Sequence, residues 1–585
     1  MWPLLSGFVV AALSIWLFRR YFAGKHLEAV PFTLPIPDAA APHWKGKRVQ
    51  SLDLRDHDSG SSDIKCICPA TGQFLGYIPS SDETAINAAV QAAKTAQHDP
   101  PTFDQRIKVL ATIKRYILEN QLTIARIACR DTGKTTIDAA LGEIMVTLEK
   151  IKWILANGRL ALETESRPAS TNPLMFYKGA QVRYQPLGVV SAMVSWNYPF
   201  HNMMGPIAAA IFTGNAIVVK CSEQVAWSST FFIQIAQRAL ELAGCDPNLV
   251  QLVCCWPEDA NALTCNPDIS HITFIGSRPV AHKVVAAAAT VLTPVVCELG
   301  GKDPLIILED ASSLPDIASI ILRGTFQSAG QNCIGIERVI VCGDAYYNQL
   351  VDILSSRVPK IRVGSSLDEL TDVDMGAMIN EAALARIEAL VANAVEHGAR
   401  LIFGGKRYSH PKYPVGTYFA PTLLVDVTPD MEIAQEEVFG PVLLVMKAQS
   451  CDDALVIANS TPFGLGASVF GKKSSNIEKL VNGLRCGNVA INDFATYHLC
   501  QLPFGGVDGS GYGKFGGAEG LRGLCIEKSV CYDRFPFIST FIPRALDYPL
   551  PSMQKAWTLI ESLQEVGYGT SLWTRINAIR RMTGI

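Results

Sequence analysis

Apolar residues fall along this chain in three different patterns. The first is a single uncharged run, WPLLSGFVVAALSIWLF at 2–18. As a helix it would extend about 25 Å, close to the hydrocarbon thickness of the thinner endoplasmic reticulum membrane. Arg19, Arg20 and Lys25 follow, with only the amino terminus ahead. A basic flank of this kind stays on the cytosolic side. A cleaved signal peptide is the alternative, but the basic start and small-x-small cleavage site are missing. The expectation is a single-pass transmembrane anchor at 2–18 in the endoplasmic reticulum, with the rest of the chain facing the cytosol. A linker at 19–63, rich in Pro, His, Asp and Ser in its later part, would follow.

The second pattern begins at Ile64 and alternates. DETAINAAVQAAKTAQ at 82–97 has helical periodicity with Ser81 or Asp82 as cap, and helical spacing continues to about Asn157. Short β-branched runs then alternate with helical stretches: VVSAMV (189–194), AIVVK (216–220), LVQLV (249–253) and ITFI (272–275). A second series follows Val295, with PLIIL (304–308), RVIVC (338–342), ARLIFGG (399–405) and PVLLVM (441–446). Continuous apolar strands separated by helices predict parallel, doubly wound α/β sheets. The third pattern is the tail at 535–585. FPFISTFIPRALDYPLP is broken by prolines and cannot form one spanning helix. SLWTRINAIRRM (571–582) sets Leu572, Trp573, Ile576 and Ile579 against Arg575, Arg580 and Arg581. It fits either an interfacial helix on an anionic membrane or a helix packed on the core.

Composition narrows the function. Of 585 residues, 51 are Lys or Arg and 54 Asp or Glu, a net charge of −3. No basic field for nucleic acid exists. The mean hydropathy of +0.19 is high for a soluble enzyme and agrees with some membrane contact. The sixteen cysteines are scattered, without CxxC or paired Cys/His spacing, so reduced thiols are expected and a zinc site is not. Most buried cysteines serve packing, and any catalytic one must stand out by its company.

Two dinucleotide signals compete. Gly511-Tyr512-Gly513-Lys514-Phe515-Gly516 has GxGxxG spacing but opens no βα unit, so it reads as a glycine-rich turn. Gly276-Ser277 ends the ITFI strand where a helix begins, and such a helix start can hold a pyrophosphate or be an ordinary turn. Lys220 and Glu223 sit at the carboxyl end of AIVVK, where doubly wound sheets bind ligands. There Glu223 can accept from both ribose hydroxyls and repel a 2′-phosphate, favouring NAD over NADP. A surface Lys and Glu would look the same.

Four further segments join these: Ser195-Trp196-Asn197-Tyr198-Pro199, Glu298-Leu299-Gly300-Gly301-Lys302, Gly330-Gln331-Asn332-Cys333 and Glu436-Glu437-Val438-Phe439-Gly440-Pro441. Taken with KCSE, FIGS and PFGG, their order and spacing from about 64 to 534 resemble the NAD(P)-dependent aldehyde dehydrogenase superfamily. The resemblance implies two Rossmann-type α/β domains, NAD-binding over 64–299 and catalytic over 300–507. It implies a β-arm at 172–187 and an oligomerisation strand at 508–534, hence a homodimer or tetramer. It further implies Cys333 as thiol nucleophile, Asn197 with the Cys333 backbone N–H as oxyanion donors, and Glu298 as the base for hydrolysis. Glu437, Phe439 and Trp196 would contact the nicotinamide end, and Asn492 would be structural.

Three positions depart from the family pattern: Ser195 where proline is frequent, Pro206 where lysine is frequent, and Asp508 where lysine follows PFGG. The anchor, the WNYPFHN wording and the tail resemble the membrane-anchored branch of fungi and plants, whose fungal members are named for meiotic sister-chromatid recombination. Aldehyde oxidation to acid is the expected activity, with lipid-derived aldehydes as the substrates a membrane enzyme would meet. The alternatives are a CoA-acylating enzyme, disfavoured by Glu298, and a silent membrane scaffold, disfavoured by the intact Asn197, Glu298 and Cys333.

Overall fold

A computed structural model describes residues 29–56, 61–367, 372–494 and 499–582. The expected anchor at 2–18 lies outside the described residues. Among the described residues no helix is long and apolar enough to cross a membrane. The chain divides into two compact units, Met1–Arg159 with Pro186–Leu524, and Leu160–Gln185 with Cys525–Ile585.

The larger unit holds two α/β sheets. The first has six strands, in the order Gly511–Tyr512, Val295–Glu298, His271–Ile275, Val189–Met193, Ala216–Cys221 and Val250–Cys254. All neighbours run parallel except the Gly511–Tyr512 edge. Val189–Met193 and Ala216–Cys221 are buried at every position, which is why they are continuous apolar runs without alternation. Chain order reverses between Val189–Met193 and His271–Ile275. That reversal opens a crevice beyond the strands' carboxyl ends, where ligands of such sheets bind.

The second sheet has seven strands, in the order Arg400–Phe403, Thr422–Val425, Val442–Ala448, Arg338–Cys342, Pro304–Ile307, Gly466–Phe470 and Asn488–Ile491. Only the Arg400–Phe403 edge is antiparallel. Aliphatic side chains of its central strands join those of the Leu314–Phe326 and Glu381–Glu396 helices in one core.

The described part of the expected linker is instead packed into the larger unit. Ala39 and Ala40 are buried, and the Phe32 ring stacks on Tyr116 at 4.5 Å. Buried Arg130 fixes the segment: its Nε donates to the Ala39 carbonyl at 2.6 Å and its guanidinium lies 5.1 Å from the Trp44 ring centre. Polarity at 29–56 suggested a tether, but a buried cation needing acceptors recruited the segment's carbonyls.

In the smaller unit, Cys525–Asp533, Lys178–Pro186 and Glu165–Ser166 form a three-stranded sheet in that order. The segment 508–534, expected as one strand, is divided: Val507–Asp508 pairs with Phe463–Gly464, Gly511–Tyr512 edges the first sheet, Gly517–Arg522 is helical, and only Cys525–Asp533 is a long strand. Gly511, Gly513 and Gly516, all at positive φ, break the run. The tail folds as helices Met553–Tyr568 and Leu572–Met582. The second turns Ala578 inward and leaves Leu572, Trp573 and Ile579 exposed.

Candidate active site

Cys333 follows a strained loop. Ser328, Ala329 and Gly330 take consecutive left-handed conformations at φ 54°, 56° and 72°. Two non-glycine residues there are costly and persist only when their surroundings hold them. Gly330 is required: a Cβ would lie 2.1 Å from the Gly440 carbonyl oxygen. Gln331 pins the loop, its amide nitrogen donating to the Ser328 and Ala377 carbonyls while its oxygen accepts from Ile379 N–H at 2.8 Å. Burial pushes the Cys333 thiol well above its ordinary range, and the Glu298 carboxylate pushes the same way.

Glu298 ends the strand Val295–Glu298 and is 4% exposed. Its Oε1 is buried with no hydrogen-bond partner among the described residues. Burial pushes its carboxyl up to about 7, against smaller opposing pulls from the Cys333 thiol and the Gly300 backbone. A carboxyl with a pKa near neutrality beside a thiol is suited to taking and returning protons.

Asn197 is 3% exposed, and its amide orientation is fixed from both ends. Oδ1 accepts from the Ser195 hydroxyl at 2.7 Å, and Nδ2 donates to the Gln331 carbonyl at 3.1 Å. Ser195 in turn accepts from Asn202 Nδ2 at 2.9 Å. Position 195 of this chain therefore supplies a hydroxyl that orients the amide, with one Nδ2 proton beyond the one given to Gln331.

Two buried ion pairs, neither signalled by the sequence, hold the surrounding loops. Lys134 Nζ meets Glu143 Oε1 at 2.8 Å and donates to the Asn197 carbonyl at 2.5 Å. Glu143 Oε2 accepts from Phe200 N–H at 2.6 Å, capping the helix Pro199–Thr213. Glu143 lies in one wide turn, Ala140–Met145, of the π-helical type that recurs at functional sites. Across the site, Lys302 Nζ meets Glu337 Oε2 at 2.7 Å, and Glu337 accepts from Val438 N–H at 3.1 Å and Phe439 N–H at 3.0 Å.

Two hollows meet at this cluster. A cleft of about 600 Å³ opens at the crevice of the first sheet, lined by Trp196, Asn197, Gly276, Ser277, Glu437 and Phe439 among others. A cavity of about 120 Å³ is lined by Tyr198, His201, Leu499, Leu502, Phe504 and Phe515 among others. Ile275, Glu298 and Cys333 border both.

The cleft suits a dinucleotide. Ser277 is the N-cap of the helix Arg278–Ala289 and lines the cleft with Arg278 and Pro279, so the positive end of that helix dipole faces the cleft, although Pro279 has no N–H and the Val280 N–H donates to the Ser277 carbonyl at 3.1 Å. Glu437 Oε1 accepts from Gly301 N–H at 3.0 Å, and Gly300 at φ 79° makes room, since a Cβ there would sit 2.3 Å from that oxygen. Burial raises the Glu437 carboxyl well above its usual range. Trp196 and Phe439 meet edge-on at 5.6 Å.

Lys220 and Glu223 pair with each other at 3.5 Å at the end of Ala216–Cys221 and do not line the cleft. Asn492 lines neither hollow: its Oδ1 accepts from Gly471 N–H at 3.0 Å, a structural bond. Gly511–Gly516 supplies an edge strand and turn, not a phosphate loop. The sixteen cysteines carry free thiols, and among them Cys333 alone borders both hollows.

The chain is similar to known proteins. An aldehyde dehydrogenase-like protein of Saccharomyces cerevisiae is 55% identical over 562 residues, covering 94% of this chain and 87% of its own. The succinate-semialdehyde dehydrogenase [NADP(+)] of Mycobacterium leprae is 32% identical over 80% of this chain and 99% of its own. The crystal structure of a Mycobacterium tuberculosis aldehyde dehydrogenase complexed with NAD+ superposes with a TM-score of 0.74 at 30% identity, covering 83% of this chain and 96% of that one. Residues 55–530 match the aldehyde dehydrogenase family, and with the thiol, carboxylate and amide gathered at one crevice the chain belongs to that family.

Proposed function

We propose that this protein oxidises aldehydes to carboxylic acids with NAD, through a thioester on Cys333 that Glu298-activated water hydrolyses. The observation that carries the reading is the position of Cys333 and Glu298 at the junction of a dinucleotide-sized cleft and a mainly apolar cavity. An aldehyde in the cavity presents its carbonyl carbon to the thiol and its hydrogen to the cleft.

The residues divide the work. Cys333 reacts as the thiolate, its proton passing to solvent, and its Sγ bonds the carbonyl carbon to give a thiohemiacetal. The free proton of Asn197 Nδ2 and the Cys333 backbone N–H meet the new oxyanion. A bound nicotinamide dinucleotide supplies the two-electron acceptor. The acyl group then stays on sulfur as a thioester until Glu298, raised to about 7, takes a proton from attacking water; the C–S bond breaks, the acid leaves and that proton returns to the sulfur. A base with an orphaned, buried oxygen supports hydrolysis over transfer to CoA.

Cleft residues Gly276, Ser277, Glu437 and Phe439 would hold the dinucleotide, with Lys220 and Glu223 reaching its adenosine end and Glu223 selecting NAD over NADP. The 2–18 run anchors the chain in the endoplasmic reticulum membrane with the site facing the cytosol, as in the membrane-anchored fungal and plant branch. The exposed Leu572, Trp573 and Ile579 lie on the interface. The Lys178–Pro186 and Cys525–Asp533 strands carry dimer or tetramer contacts. Lipid-derived aldehydes are the substrates such a location offers.

The test is aldehyde-dependent NADH formation by the purified full chain and by Cys333→Ala, with acid product measured in parallel. Equal moles of NADH and acid, lost in Cys333→Ala, support the reading. No NADH from short, long-chain or aromatic aldehydes would favour the silent scaffold.

A further inference from the structure

One charged side chain in the apolar cavity has no part in the chemistry described above. Gly142, Val146 and Lys150, each four residues apart, present one face of their helical segment to the cavity. No acidic side chain among the described residues pairs with the Lys150 ammonium, and its electrostatic neighbour is the Cys500 thiol, which burial keeps protonated. An unpaired cation against apolar walls is costly to hold, so its retention calls for a role.

The opposite wall is shaped to admit it. Gly205 lies inside the helix Pro199–Thr213, where glycine costs about 1 kcal/mol relative to alanine. A Cβ at Gly205 would stand 3.3 Å from Lys150 Nζ, tighter than such contacts normally run. Pro206 follows, with no N–H and a short side chain. Two residues unfavourable to a helix thus leave space where the ammonium sits.

We infer that Lys150 is a specificity-determining residue that binds a carboxylate at the far end of the aldehyde, so that the preferred substrates are semialdehydes of dicarboxylic acids. This inference rests on the aldehyde-oxidising reading and names its substrate class. One ammonium matches one carboxylate charge. A phosphate dianion would keep a surplus charge, because among the described residues lining the cavity there is no second cation: His201, bonded to Thr147 Oγ1 at 3.0 Å, is held neutral by burial, with Lys150 adding to the effect. A plain alkanal would leave the ammonium unpaired. Apolar side chains such as Leu499, Leu502 and Phe504 suit the methylenes between the two ends. Oxidative cleavage of a fatty acyl chain also yields such ω-oxo acids, which joins this class to a membrane setting.

The full-length protein is assayed with matched pairs, an ω-oxo carboxylate and its methyl ester, from four to nine carbons. Wild type should show kcat/KM about tenfold or more higher for the acid at its best length. Lys150→Met should bring that ratio close to one, chiefly through KM for the acid, and Lys150→Arg should keep most of it. Melting temperatures of both variants establish that they are folded. A wild-type ratio near one, or a ratio unchanged in folded Lys150→Met, overturns the inference while leaving aldehyde oxidation standing. If no aldehyde in either series is oxidised, the underlying reading fails as well.

Discussion

The two buried lysine–glutamate pairs are built alike and act on different halves of the site. In each, one carboxylate joins a lysine to consecutive backbone N–H groups: Glu143 to Phe200 and His201, Glu337 to Val438 and Phe439. Lys134 also reaches the Asn197 carbonyl, so the first pair sets the residue we propose as oxyanion donor. The second sets the loop of Glu437 and Phe439 and so the cleft. One device, used twice, holds the Asn197 side and the Glu437 side of the site separately.

The comparison can be broken by removing one charge at a time. Glu143→Gln and Glu337→Gln should each cost about 3–5 kcal/mol, because each strands a buried lysine. Urea denaturation measures that loss. Their kinetics should diverge, with kcat falling about tenfold or more in Glu143→Gln through the oxyanion donor, and KM for the dinucleotide rising in Glu337→Gln. Identical kinetic changes in both would erase the division between halves.

Glu298 gives the next effect. Its folded carboxyl is raised from 4.5 to about 7 by burial, so the charged form is disfavoured in the native state. Turnover should fall as pH drops through about 7, since the base must be ionised. Stability follows the opposite sense: the protonated carboxyl costs nothing extra below 4.5, and the penalty grows as pH rises from 4.5 to about 7, above which it is complete. Glu298→Gln should therefore be more stable than wild type at pH 8, by up to about 3 kcal/mol, with the gap closing towards pH 4.5. A gap that widened at low pH would contradict the assignment.

Ser195→Ala is the mildest change. Losing the hydroxyl that holds Asn197 Oδ1 should cost about 1 kcal/mol in transition-state stabilisation, a severalfold drop in kcat. Ser195→Ala with full kcat would show that Gln331 alone orients the amide.

The same contrast explains what was legible in the sequence. Strand–helix alternation is local, so Val189–Met193, Ala216–Cys221 and Arg338–Cys342 stood out. Short strands such as Thr422–Val425 and Asn488–Ile491 did not, lacking length and flanking signals. Cys333, Glu298 and Asn197 were reached through motif wording, since the 35-residue separation of Glu298 and Cys333 hides their proximity from any local pattern. The supporting pairs carried no signal. Lys134 and Glu143 look like ordinary helix-surface residues, and Glu337 opens an apolar strand whose burial only the fold reveals. Lys220 and Glu223 show the converse: a position inferred from strand-end logic, with the two side chains facing one another.

The central claim is that Cys333 forms the acyl intermediate and Glu298 releases it. Rapid mixing of enzyme, NAD and aldehyde, followed by absorbance at the NADH band, tests both steps in one trace. The account predicts no NADH from Cys333→Ala, and from Glu298→Gln one burst of about one equivalent per site followed by little turnover. Steady turnover by Glu298→Gln at the wild-type rate would contradict it.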